Sequence, residues 1–150
     1  MSASPLAGRP VCQVGVVVRD IQRSARAYAE LLGQPVPEVI LTASESEAHT
    51  RLHGAPTQAR AKLAFFQVGS LSLELIEPVG GPSTWQEFLD ARGEGVHHLA
   101  FQVEDTDRAT AALAERGIPV VQQGDYTGGC YTYLGSEGAL AVILELLAPR

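Results

Sequence analysis

LELIEP at residues 73–78 and LELLAP at residues 144–149 are two near-copies of one string within a single chain. Their match decides the fold, because self-similarity at a fixed spacing marks a duplicated structural unit. Working outward, FFQVGSLSLELIEP (65–78) lies over YLGSEGALAVILELLAP (133–149). Upstream, QVGVVVRDIQRSARAYAELLGQPV (13–36) lies over HLAFQVEDTDRATAALAERGIPV (98–120) with one residue of slippage. Each upstream partner reads strand, Asp, helix, Gly, x, Pro, Val. The chain is therefore expected to be one domain, 1–150, built from two copies of a module of about 70 residues. Module 1 covers about 11–79 and module 2 about 95–149, linked by a short helix at about 83–92.

Local signals agree with the duplication. Asp20 is placed to cap a helix whose apolar residues Ile21, Ala25, Tyr28 and Leu32 keep helical spacing, and Gly33 followed by Pro35 ends it. Asp105 starts the equivalent helix, Leu113 lies on its buried side, and Gly117 with Pro119 stops it. Ser83 and Gln86 have capping-box spacing for the linking helix, and GGPS at 80–83 is the expected hinge between halves. The segment 37–62 fits neither copy. VIL at 39–41 reads as a strand, but ASESEAHTRLHGAPTQ (43–58) is polar, short of β-branched residues and broken by Gly54 and Pro56. That composition predicts a long loop or lid.

The bulk properties exclude several classes of function. A chain of 150 residues, 45% apolar and 19% charged, is a globular balance with enough length to bury a core. No apolar run approaches the roughly 20 residues of a spanning helix, and the opening MSASPLAGRP lacks the apolar stretch of a secretory signal. A cytoplasmic protein with no membrane partner is expected. In that compartment Cys12 and Cys130, neither of them in a C-x-x-C pair, stay as thiols. The net charge of −6, from 11 basic and 17 acidic residues with the basic ones scattered, argues against a nucleic-acid partner. No phosphate loop, nucleophile elbow or Ser-His-Asp pattern is present.

Period-two alternation places the polar residues of the apolar strands. Val14, Val16 and Val18 share one face, Gln13, Gly15 and Val17 the other. Leu99, Phe101 and Val103 oppose His98, Ala100 and Gln102. Glu74 opposes Leu73 and Leu75, and Glu145 opposes Leu144 and Leu146. A carboxylate inside an apolar strand is costly unless something pairs with it. The duplication brings Gln13, Glu74, His98 and Glu145 to two pairs of equivalent positions on inner faces, where one divalent cation would supply the missing counter-charge. An imidazole nitrogen with amide and carboxylate oxygens suits Mn²⁺, Fe²⁺, Co²⁺, Ni²⁺, Zn²⁺ or Mg²⁺. Four protein ligands leave two octahedral positions for substrate.

QVGVVVRDI at the start, LELIEPVGGPSTWQEFLDARGEGVHHLAFQVED in the centre and VILELLAP at the end resemble the vicinal oxygen chelate superfamily, which includes glyoxalase I, methylmalonyl-CoA epimerase, extradiol dioxygenases and antibiotic-resistance proteins. The central stretch is most similar to the epimerase-like branch. The resemblance implies an α+β fold in which two βαβββ modules form a cup-shaped mixed sheet around a central site, with helices outside. It implies ligands from the first and last strands of each module, here Gln13, Glu74, His98 and Glu145. It also implies a homodimer through edge strands.

The activity so implied is that of a metal-dependent isomerase, epimerase or lyase, with methylmalonyl-CoA epimerase-like chemistry the best single match. A proton alpha to a carbonyl or thioester is removed, and the enolate is held by the metal. Glu145 is the first candidate for the base and Glu74 the second, since carboxylates in a dry, apolar wall are more basic. The substrate is a small carbonyl compound or an acyl-CoA. The alternatives are a metal-free or weakly metallated small-molecule binding protein, of resistance or biosynthetic accessory type, and then an extradiol dioxygenase.

Two positions depart from the family pattern. Gln13 stands where histidine is usual, which weakens the site and favours harder ions; it also breaks the two-histidine, one-glutamate set of extradiol enzymes. ARAKLAFF (59–66) is where epimerases add a second base, and the only lysine, Lys62, stands there instead. Lys62, with Arg60 or Arg92, is a candidate to bind an anionic substrate, and Tyr126, Tyr131 and Tyr133 are candidates to line the pocket. His97 is expected on the opposite face from His98 as a structural residue, and Glu77 in solvent. His49 and His53 read as surface loop residues rather than metal ligands. Trp85 and Phe88 fit either a helix over the cup mouth or core packing.

Overall fold

The computed structural model describes residues 3–150; residues 1–2, the start of the MSASPLAGRP opening, lie outside the described residues. The elements run β1 (Gln13–Val17), α1 (Ile21–Leu32), β2 (Ile40–Leu41), α2 (Glu45–Ala48), β3 (Arg51–Leu52), β4 (Ala55–Pro56), β5 (Arg60–Val68), β6 (Leu71–Val79) and α3 (Thr84–Arg92). They continue with β7 (Gly95–Gln102), α4 (Thr106–Ala114), β8 (Val120–Tyr126), β9 (Gly129–Leu134), α5 (Glu137–Leu140) and β10 (Ile143–Pro149).

The strands form one mixed, curled sheet in the order β2-β5-β6-β1-β7-β10-β9-β8-β3-β4. The duplication is visible in the pairing. β1 runs parallel to β6 and β7 parallel to β10, each with its crossover helix, while β1 and β7 meet antiparallel at the seam between modules. Helices α1 and α4 cover the outer face. Val18, Ile21, Ala25, Ala29, Ala64, Phe66 and Leu75 pack under α1, and Val103, Ala109, Leu113, Leu134, Leu144 and Leu146 under α4. A third cluster on the inner face gathers Val17, Ala61, Ile76, Trp85, Leu89, Tyr133 and Ile143. Alternate residues of the same strands thus feed opposite layers, as their spacing requires.

Helix punctuation follows the residues. The Asp20 carboxylate accepts from the Arg23 amide and the Asp105 carboxylate from the Arg108 amide, and Gly33 closes α1 at φ 66°. Leu32 is left 37% exposed at the end of α1, and Ala29 takes the buried position instead. Only half of the expected capping box forms. Ser83 Oγ accepts from the Gln86 amide at 3.0 Å, but the Gln86 side chain donates to Asp90 rather than back to residue 83. Cys12 and Cys130 are free thiols.

The long loop expected over 43–58 is replaced by a short helix and two short strands. β3 pairs with β4 and then with β8 of the other module, through Arg51↔Gln123 and Leu52↔Gln122. Two-residue strands are too short to show alternation, and their partner lies some 70 residues downstream, so the local composition carries no sign of them.

Candidate active site and metal centre

The four central strands β6, β1, β7 and β10 each turn one polar side chain to the inner face. His98, with no solvent exposure, stands in the middle. Its Nε2 lies 3.3 Å from Gln13 Oε1, 3.2 Å from Glu145 Oε1 and 3.5 Å from Glu74 Oε1. Room for the ring is made by Gly15, the cross-strand partner of His98. A Cβ at residue 15 would overlap the His98 imidazole, so the smallest side chain and the central ligand are geometrically linked.

Burial sets the electrostatics. The Glu74 carboxyl is pushed up to about 8, chiefly by burial and then by the charge of Glu145, with His98 opposing. Burial alone would lower His98, but the charges of Glu145 and Glu74 outweigh it and hold the imidazole above its ordinary value. Burial likewise raises the Tyr133 phenol, and the Glu145 and Glu74 charges add to it.

His97 is displaced from its expected face. Gly15 pairs with His98 but Val16 pairs with Val96, so His97 is the extra residue of a β-bulge. The bulge brings the two rings to the same side, with their Nδ1 atoms 3.0 Å apart. Burial first, and then the neighbouring His98, hold His97 well below its ordinary value. The paired Nδ1 atoms hold the two rings together, and His98 Nε2 is directed at the three oxygens, the nitrogen a metal would take once it is deprotonated.

Above this cluster opens a cavity of about 700 Å³, with Gln13, Glu74 and Glu145 among its lining residues. Trp85, Tyr131 and Tyr133 wall one side, and Trp85 Nε1 donates to Tyr133 Oη at 3.0 Å. Trp85 is therefore both core and cavity wall. Exposed Ile40, Leu41, Glu47 and Tyr126 stand at the opening, while Ala48 and Thr50 are buried in the wall. Sequence reading missed Glu47, Thr50 and Asp125 in this lining, because the pairing of β3 with β8 is what carries them there.

Three expected substrate contacts stand elsewhere. Lys62 and Arg60 do not line the cavity: the β5–β6 register sets Lys62 opposite Glu77 on the α1 side, while Leu63 and Phe65 face inward. Lys62 Nζ lies 3.3 Å from Glu77, and Arg60 Nε donates to the Thr42 carbonyl. Arg92 stacks on Phe88. Glu77 is not free in solvent, since its Oε1 accepts from the Ile21 amide at the start of α1. Tyr133 does line the cavity. His49 and His53 share no helix face; both adopt left-handed backbone, and His49 meets Asp125 at 3.0 Å.

The residues present fit a divalent cation by donor type. Glu74 Oε1 and Glu145 Oε1 are buried without a hydrogen-bond partner, which is expensive unless a cation completes them. The separations of 3.2 to 3.5 Å from His98 Nε2 are close to the edge, about 3 Å, of an octahedron with bonds near 2.1 Å. Among the described residues no three His, Cys, Asp or Glu side chains form a ready-made cage. The oxygens gather around the imidazole itself, and Gln13 is needed to complete the set.

A sequence model of the glyoxalase/bleomycin resistance protein/dioxygenase superfamily matches residues 12–133. The uncharacterized protein YqjC of Bacillus subtilis is 31% identical over 97 residues, which cover 62% of this chain and 69% of that protein. The ethylmalonyl-CoA/methylmalonyl-CoA epimerase of Cereibacter sphaeroides is 28% identical over 113 residues, 75% of this chain and 74% of that protein. The chain spans about half the length, 52%, of the mouse and human mitochondrial methylmalonyl-CoA epimerases that it also matches. In fold it superposes on the crystal structure of methylmalonyl-CoA epimerase from Mycobacterium tuberculosis with a TM-score of 0.64 at 22% identity, covering 100% of this chain and 93% of that one.

Proposed function

From the membership of this chain in the glyoxalase/bleomycin resistance protein/dioxygenase superfamily, we propose that it is a metal-assisted isomerase or epimerase that moves a proton alpha to a carbonyl or thioester. The observation that carries this reading is the pair of inward carboxylates, Glu74 and Glu145, gathered at the floor of a cavity around the single imidazole of His98, with no hydrogen-bond donor satisfying their inner oxygens. Gln13, Glu74, His98 and Glu145 would hold the ion. A divalent cation in that position supplies Lewis-acid polarisation of the substrate carbonyl.

The chain's own residues account for the rest. Glu145, 3% exposed and at the cavity floor, takes the proton from the alpha carbon and, in an isomerisation, delivers it to the neighbouring carbon of the enolate. Glu74 and Gln13 fix His98 from the other side. Trp85 and Tyr133, joined by their hydrogen bond, exclude water from the inner wall beside the carboxylates. Small carbonyl compounds and acyl-CoA thioesters are the substrate classes, the latter because relatives are named methylmalonyl-CoA epimerases.

Metal analysis of protein purified without chelator tests this reading. The expected result is near one equivalent of bound divalent metal in the wild type and its loss in Glu145→Gln with the fold retained. Failure of Mg²⁺, Mn²⁺, Fe²⁺, Co²⁺, Ni²⁺ and Zn²⁺ alike to bind would overturn it in favour of a metal-free binding pocket. Incubation with methylmalonyl-CoA in heavy water addresses the epimerase version separately, and absence of alpha deuteration ends that version alone.

A further inference from the structure

The charge of the cavity narrows the substrate. Four carboxylates line it, Glu74 and Glu145 at the floor and Glu47 and Asp125 toward the mouth, and among the described residues the lining contains no lysine or arginine. The basic groups near the mouth are engaged elsewhere. Arg150 and His49 both hold Asp125, at 2.9 and 3.0 Å. Lys62 is held by Glu77 on the outer face, and Arg60 by the Thr42 carbonyl. A divalent ion at the floor is balanced by Glu74 and Glu145, so it leaves no surplus positive charge for a second anionic group. The mouth is also greasy: Ile40, Leu41, Phe65 and Tyr126 are 44, 49, 39 and 49% exposed, and all four line the cavity. Solvent-exposed apolar side chains gathered at one opening mark a surface that meets an apolar ligand.

We infer that the outer part of this site takes the uncharged hydrocarbon or aromatic body of a carbonyl compound, and that it discriminates against substrates carrying a carboxylate at the far end of that body. This rests on the metal-assisted proton-transfer reading for its chelating end. The body of the ligand would lie against Leu63, Phe65 and Leu147, with Tyr126 at the opening. A carboxylate placed there would lose its hydration against an apolar wall, with Glu47 in the lining, no lysine or arginine among the lining residues, and Arg150 already paired with Asp125.

The test compares two probes with the same chelating end, 2-hydroxy-4′-methylacetophenone and its 4′-carboxy counterpart, bound to the Mg²⁺-loaded protein and followed by NMR titration. Alpha deuteration of each in heavy water is recorded in parallel. The expected result is that the methyl compound binds at least about ten-fold more tightly, and that Leu41→Arg narrows the gap by restoring affinity for the carboxylate. Equal or tighter binding of the carboxylate to wild type, no detectable binding of the methyl compound, or an unchanged gap in Leu41→Arg would each overturn the inference. Tight, selective binding of the methyl compound without deuteration upholds the inference about charge and removes the proton-transfer reading instead.

Discussion

Gly15→Ala is a one-carbon change whose cost can be worked from the structure. The added Cβ would overlap the His98 imidazole, whereas carbon contacts are comfortable from about 3.5 Å. The ring therefore has to retreat by more than an ångström. It cannot do so and keep Gln13 Oε1, Glu145 Oε1 and Glu74 Oε1 at 3.3, 3.2 and 3.5 Å. Overpacking of a buried site costs about 1–3 kcal/mol, and separating a buried ionic partner from its carboxylates costs about 3–5 kcal/mol when complete. A total near 3 kcal/mol is expected for a partial displacement. In a chain of this length that lowers Tm by roughly 6–12 °C. Gly138→Ala is the internal control: nothing lies within 4 Å of its Cβ, so it should be neutral or stabilising by up to about 1 kcal/mol. Thermal unfolding in EDTA reads the stability, and calorimetric Mg²⁺ or Mn²⁺ titration reads the site. If Gly15→Ala unfolds within about 0.5 kcal/mol of wild type and binds metal equally well, the coupling between this glycine and the central ligand is wrong.

Two further outcomes are expected. In the metal-free protein the Glu74 carboxyl is raised from an ordinary 4.5 to about 8, so the folded state binds this proton more tightly than the unfolded chain does. Its contribution is complete below about pH 4.5 and is lost as pH rises through 8; His98, also raised, acts with the same sign. Tm in EDTA should thus fall between pH 5.5 and 8.5, and Glu74→Gln should flatten the slope; identical slopes in the two proteins would refute the assignment. Lys62→Met removes a partly exposed pair with Glu77 on the outer face and should change stability by no more than about 1 kcal/mol, with metal affinity unmoved. A ten-fold loss of metal affinity in that variant would place Lys62 at the site after all.

What the residues disclosed, and what they hid, divides along the range of the interactions. The duplication, the caps at Asp20 and Asp105 and the inward turn of Glu74 and Glu145 follow from neighbours within a strand or helix, and each reads directly from spacing. The His97 bulge depends on a register shift between β1 and β7, which no property of VHHLAF alone encodes. The outer placement of Lys62 follows from its pairing with Glu77 across β5 and β6; parity with Ala64 and Phe66, both in the α1 core, was the available clue. The strands at Arg51–Leu52 and Ala55–Pro56 owe their existence to β8, in the other module. Contacts between distant segments fixed these features.

One run, residues 40–56, supplies both rims of the sheet: β2 terminates one end and β4 the other. Each is two residues long, and β4 ends in Pro56, so the outermost strands themselves offer little ladder to a newcomer. β2 covers only Lys62 and Leu63 of the nine-residue β5, and β3 only Gln122 and Gln123 of β8. The same short run thus caps both open borders in part and leaves the far end of β5 as the longest stretch to which another strand could add.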